Sequence, residues 1–133
     1  YPSFGNMGLF TTPESYAPIA ALNTRYVPVL QRITAAGWHP VTRARSSDAD
    51  VWLERWGPGE DGSVYLTVYN AATEQRTATI TVEVGELGLE GGSLTWADEL
   101  SDAAGRAQIT GGVASVELVA APDRLAVLRL AAE

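Results

Sequence analysis

The sequence predicts a mainly β protein, an antiparallel β-sandwich of about eight strands preceded by one helical segment. Three observations point there. Before Gly37 the apolar residues recur at steps of three or four; after Pro40 the period changes to two; and turn-forming clusters interrupt the second part at intervals of roughly eight to twelve residues.

The first ten residues, YPSFGNMGLF, have loop chemistry, punctuated by Pro2, Gly5, Asn6 and Gly8. Thr12 followed by Pro13 reads as an N-cap and a first helical residue. Ile19, Leu22, Tyr26, Leu30 and Ile33 then share one helical face. Pro18 suggests a fresh start after one turn. Pro28 removes the amide that would bond the Thr24 carbonyl, which predicts a kink or a break into two short helices. Gly37 terminates the helix and Pro40 forbids its continuation.

From Val41 the chain alternates. VWLERW sets Val51, Leu53 and Arg55 against Trp52, Glu54 and Trp56. SVYLTVYN sets Val64, Leu66 and Val68 against Tyr65, Thr67 and Tyr69, and RTATITVEV sets Ala78, Ile80, Val82 and Val84 against three threonines and Glu83. Shorter strands are expected at Ser93–Trp96, Ala107–Thr110, Val113–Leu118 and Leu125–Leu130, separated by GPGEDG, NAATEQ, GLEGG and APD. One apolar face per strand is the pattern of two sheets sharing a core.

Composition bounds the function. A chain of 133 residues is one domain, or one domain and a piece of another, and beginning at Tyr1 it reads as a piece of a longer chain. With no cysteine and a single histidine, His39, thiolate zinc sites, cysteine nucleophiles, multi-histidine metal sites and most catalytic triads are excluded. No metal or other cofactor is expected. Net charge is −7, every basic residue is arginine, and no basic run exists, which argues against nucleic acid as a partner. No apolar run approaches the ~20 residues of a membrane span, so no membrane partner is expected.

The helix stripe raises the main question. Burying an apolar side chain of this size gains roughly 1.5–3 kcal/mol, so five of them represent a gross ~8–15 kcal/mol. A sandwich fills its core from its own inner faces, so the stripe needs another surface: the outside of the sandwich or a part of the protein beyond this sequence.

The segment YVPVLQRITAAGWHPVTRARSSDADVWLERWG, with VYLTVYN and ITVEVGELGL after it, resembles the carboxy-terminal part of bacterial glycoside hydrolases and their relatives. In these a (β/α)₈ barrel is followed by an antiparallel sandwich. The ending VELVAAPDRLAVLRL is similar to the final hairpin of such sandwiches. The resemblance implies that residues 1–38 are the last loop and helix of a barrel and residues 39–133 a C-terminal sandwich that is not itself catalytic. It also places Tyr1, Ser3, Phe4 and Asn6 in a loop at the barrel's catalytic mouth, as substrate-loop candidates, and makes the rest of the parent chain the partner.

No catalytic set is visible. Glycosidases need two carboxylates held across the scissile bond. The densest acidic stretch, Asp98, Glu99 and Asp102 in WADELSD, reads as a solvated turn, and Glu54 as paired with an arginine such as Arg43. Trp38 reads as filler of an inter-domain seam, Trp96 as core, and His39 as the donor or acceptor of a junction hydrogen bond. Trp52, Trp56, Tyr65 and Tyr69 admit two readings: a face packed on the helix or barrel, or an exposed aromatic strip that binds carbohydrate. In the second case the chain is a carbohydrate-binding module. A third reading makes the same surface a docking site for a partner protein.

Overall fold

A computed structural model describes residues 13–133. Helix α1 (Pro13–Ala36) leads into nine strands: β1 (Trp38–His39), β2 (Ala44–Ser46), β3 (Val51–Trp56), β4 (Val64–Asn70), β5 (Arg76–Glu83), β6 (Ser93–Asp98), β7 (Ala104–Gln108), β8 (Val113–Ala120) and β9 (Leu125–Ala132). A 3₁₀ turn at Val84–Leu87 follows β5 and takes Val84 out of the strand pattern without exposing it.

The helix is continuous through both prolines, not broken in two. Each proline removes one backbone bond, and the turns on either side hold the rest. Just before Pro28, the Thr24 hydroxyl donates to the Ala20 carbonyl at 2.9 Å. Gly37 ends the helix in the left-handed region, φ 84°, and its amide bonds the carbonyls of Ile33 (3.1 Å) and Thr34 (3.2 Å). The Gly37 carbonyl then accepts the Gly57 amide at 2.7 Å, tying the helix end to the end of β3.

The strands form a six-stranded sheet, ordered β1-β3-β4-β9-β6-β7, and a three-stranded sheet, ordered β2-β5-β8, every pair antiparallel. Their inner faces share a core that includes Leu66, Val68, Ile80, Val82, Leu94, Val116, Leu128 and Leu130. Three strand expectations are corrected. The alternation expected from Val41 yields only the three-residue strand β2, which begins after Arg43 takes a positive φ of 56°, while Trp38–His39, before Pro40, forms an unexpected short strand in the other sheet. Strand β7 lies earlier than Ala107–Thr110; opposite Trp96 it carries Gly105, where a Cβ would come within 2.8 Å of the indole. And β8 and β9 are not a hairpin: β9 is enclosed by β4 and β6, so the 121–124 turn connects the two sheets.

Asn70, at the end of β4, is fully buried and satisfies the turn after it. Its Nδ2 donates to the carbonyls of Glu74 and Ala120 (both 2.9 Å), and its Oδ1 accepts the Ala72 amide at 2.9 Å.

The two outer faces differ. On the three-stranded sheet the outward residues are Thr77, Thr79, Thr81 and Glu83 on β5 and Ser115, Glu117 and Val119 on β8, a mostly polar set. On the six-stranded sheet they include Trp38, Trp52, Trp56, Tyr65, Tyr69, Val127 and Leu125 alongside Glu54, Thr67 and Arg129, and α1 lies across part of them.

Candidate functional site

The outer face of the six-stranded sheet is read off its register. Trp38 pairs with Trp56, Trp56 with Tyr65, and Tyr65 with Arg129; two residues along, Glu54 pairs with Thr67 and Thr67 with Val127; two further, Trp52 pairs with Tyr69 and Tyr69 with Leu125. Directly opposed residues share a face, so these side chains stand in three rows across the sheet.

The helix covers part of this surface. Val29 and Ile33, each 4% exposed, pack with Tyr65 and Val127, flanked by Ala36, Trp56 and Leu100. Two arginines fix the helix to the turn after β6. Arg32 pairs with Glu99, and Arg25 Nη2 donates to the Leu100 carbonyl at 2.8 Å. That turn is organised by Asp98, whose Oδ1 accepts the amides of Leu100 (3.1 Å) and Val127 (2.9 Å) and whose Oδ2 accepts the Ser101 hydroxyl (2.6 Å). The reading of WADELSD as merely a solvated turn is therefore corrected: it is the turn on which the helix is latched.

Beyond the latch the helix outruns the sheet. At about 100° per residue, Leu22 lies within roughly 20° of Val29 around the axis. Yet Leu22 is 56% exposed. Leu30, on the flank turned away from Arg25 and Arg32, is 51% exposed, while Ile19 and Tyr26 are partly covered. Of the five stripe residues only Ile33 is buried, and Val29, which the stripe omitted, is the other anchor.

The aromatic candidates separate accordingly. Tyr65 is buried and Trp56 half-buried under the helix; Trp52 and Tyr69 are exposed, at 60% and 36%, with ring centroids 6.0 Å apart and planes inclined by 57°. Trp38 is 55% exposed, so it fills no seam among the described residues. Trp96 packs on the core as expected. His39 is exposed and makes no side-chain hydrogen bond to another described residue. Glu54 is exposed and unpaired among the described residues, because Arg43 pairs instead with Glu83 (3.4 Å) and Glu86 (3.1 Å). Tyr1, Ser3, Phe4 and Asn6 lie outside the described residues.

Two further charged groups are placed. Arg55 is buried on the inner side of β3, and burial, then the charge of Arg43, holds its guanidinium below its ordinary pKa. Asp61 lines a cleft of about 380 Å³ between the helix end and the 57–63 loop, together with Arg32, Glu60 and Tyr65. Hydrogen bonds from the Ser63 amide (2.9 Å) and hydroxyl (2.8 Å) lower its pKa, which fixes it as a carboxylate and unsuits it to donate a proton near neutral pH. Among the described residues no group of His, Asp and Glu is placed to hold a metal ion.

The fold so described is a helix-capped antiparallel β-sandwich. No protein-family model matches the chain, and no curated protein matches it. Among solved structures it is similar to part of a GH27 β-L-arabinopyranosidase from Geobacillus stearothermophilus (12% identity, 68% of this chain and 20% of that one, TM-score 0.49). It is similar to part of a maltogenic α-amylase from Thermotoga neapolitana (14% identity, 68% and 20%, TM-score 0.45) and of a GH30 endoxylanase from Clostridium papyrosolvens (15% identity, 65% and 21%, TM-score 0.41). The chain spans about a fifth of the length of these structures.

Proposed function

We propose that this chain is the C-terminal part of a glycoside hydrolase-like protein, in which residues 1–38 close a catalytic (β/α)₈ barrel and residues 39–133 form a supporting, non-catalytic sandwich. One observation carries the reading. The apolar face of α1 is anchored on the sandwich at Val29 and Ile33 and continues, uncovered, to Leu22, with Leu30 bare on the flank. A helix made only to cap the sandwich has no use for apolar residues beyond it; a helix shared with a second body needs two apolar surfaces. The junction sequence AAGWHPVTRAR supports the same reading by its resemblance to those of barrel–sandwich proteins. The sandwich then holds the final helix in place, while the chemistry belongs to the barrel.

The test uses the 133-residue chain. It is expected to hydrolyse no member of a glycoside panel, and amides of residues 19–24 are expected to exchange with solvent much faster than those of β4, or to slow only as concentration rises and chains associate. Turnover that denaturation abolishes, or a strict monomer with uniformly protected helix amides, overturns the proposal.

A further inference from the structure

We propose that the exposed row Trp52–Tyr69–Leu125, beside the helix, is a binding surface for a neutral oligosaccharide. The fold covers one cross-strand aromatic pair, Trp56–Tyr65, with the helix and leaves the other, Trp52–Tyr69, open on the same sheet face. The open rings are held by their polar ends. The Trp52 indole N–H donates to the Ala49 carbonyl at 3.2 Å, and the Tyr69 hydroxyl donates to Asp123 Oδ1 at 3.4 Å. Ordering these side chains therefore costs a ligand little.

The surroundings select the ligand. Glu54, the next outward-facing residue along β3, offers an unpaired carboxylate, and Asp123, which accepts from the Tyr69 hydroxyl, offers its remaining acceptor capacity. The row leads into a cleft of about 350 Å³ lined by Arg25 and Tyr26 of the helix and by Asp123, Arg124 and Leu125, and Arg124 makes no salt bridge with another described residue, so its guanidinium is available as a donor. Aromatic faces with acceptors on one side and a donor on the other suit a polyol, whose C–H faces meet the negative π-face and whose hydroxyls both give and receive hydrogen bonds. Polyanions are repelled by the carboxylates. A quaternary cation needs rings that enclose it, and these stand open to solvent. The area argues against a protein: two exposed rings and part of a leucine amount to roughly 300 Å², against about 800 Å² on each side of a stable protein interface.

The experiment is a titration of the 133-residue chain with cellohexaose, xylohexaose and maltoheptaose, followed by tryptophan fluorescence and calorimetry, with tetramethylammonium chloride as a parallel ligand. At least one saccharide is expected to give a saturable response with a midpoint on the order of 0.1–1 mM. Trp52→Ala is expected to weaken it at least about tenfold, Trp52→Phe less, and Trp38→Ala, an equally exposed tryptophan in a different row, not at all. Silence with all three saccharides, a response that survives Trp52→Ala, or a response to tetramethylammonium alone overturns the proposal. Because the barrel reading is judged by hydrogen exchange and hydrolysis, the two fail separately.

Discussion

Leu22 and Ile33 lie on the same side of α1, eleven residues apart, yet only Ile33 meets the sandwich. Truncating each to alanine therefore measures where the helix's support ends. Ile33 is 4% exposed and packs with Tyr65 and Val127, so Ile33→Ala opens a cavity in the helix–sheet seam and is expected to cost about 2–4 kcal/mol of docking. Leu22 is 56% exposed, and Leu22→Ala is expected to change stability by no more than about 0.5 kcal/mol. Hydrogen exchange at low micromolar concentration reads the difference directly. At about 1.4 kcal/mol per factor of ten, amides of residues 29–36 speed up between roughly thirtyfold and several hundredfold in Ile33→Ala and hardly at all in Leu22→Ala. If the two variants cost the same, Leu22 is covered within this chain, and the case for a second body on the helix collapses.

Asn70→Ala strands two carbonyls and an amide, and is expected to cost about 2–4 kcal/mol in urea unfolding; Asn70→Asp is expected to cost at least as much, because its carboxylate would face the Ala120 and Glu74 carbonyls. Gly105→Ala forces a Cβ against the Trp96 ring and is expected to cost about 1–3 kcal/mol, visible as a changed near-ultraviolet dichroism band. Asp61 has a folded pKa below its ordinary value, so it binds a proton more readily unfolded than folded. Its contribution is present above the unfolded value of 3.8 and lost as the pH falls through the lower folded one. Asp61→Asn is accordingly expected to flatten the acid side of the stability–pH profile and to leave the neutral side parallel to that of the parent.

Strands β3, β4 and β5 were legible because β-branched and aromatic residues alternate there without interruption, and the same parity placed Trp52 with Trp56 and Tyr65 with Tyr69. Strand β7 is hard to place because AGRAQ has no β-branched or aromatic residue to mark it, and the two-residue β1 and the late start of β2 are not legible because neither a strand that short nor a left-handed Arg43 leaves a trace in composition. The sequence pattern marks one apolar stripe of large residues, whereas the line that meets the sheet is the buried Val29 and Ile33 with the half-buried Ala36, the smaller Val29 taking the place of Leu30. What separated the covered aromatic pair from the open one was where the helix lands. That depends on Arg25 reaching Leu100 and Arg32 reaching Glu99, contacts 75 and 67 residues apart that no local pattern announces.

The helix is held at one end and along its length. Gly37 bonds to Gly57, and Arg32 and Arg25 grip the turn after β6. At 1.5 Å per residue these grips lie about 8 and 18 Å from the Gly37 end, and Pro13 lies about 36 Å from it. Two separated fixings on a stiff rod define a line, so the sandwich sets the bearing of the helix as far as Pro13. The rod also multiplies error, since a displacement of 1 Å at Arg25 becomes about 2 Å at Pro13. Aim, then, resides in the Asp98 turn: a substitution that loosens it shifts whatever is joined to the far end of the helix, without touching it.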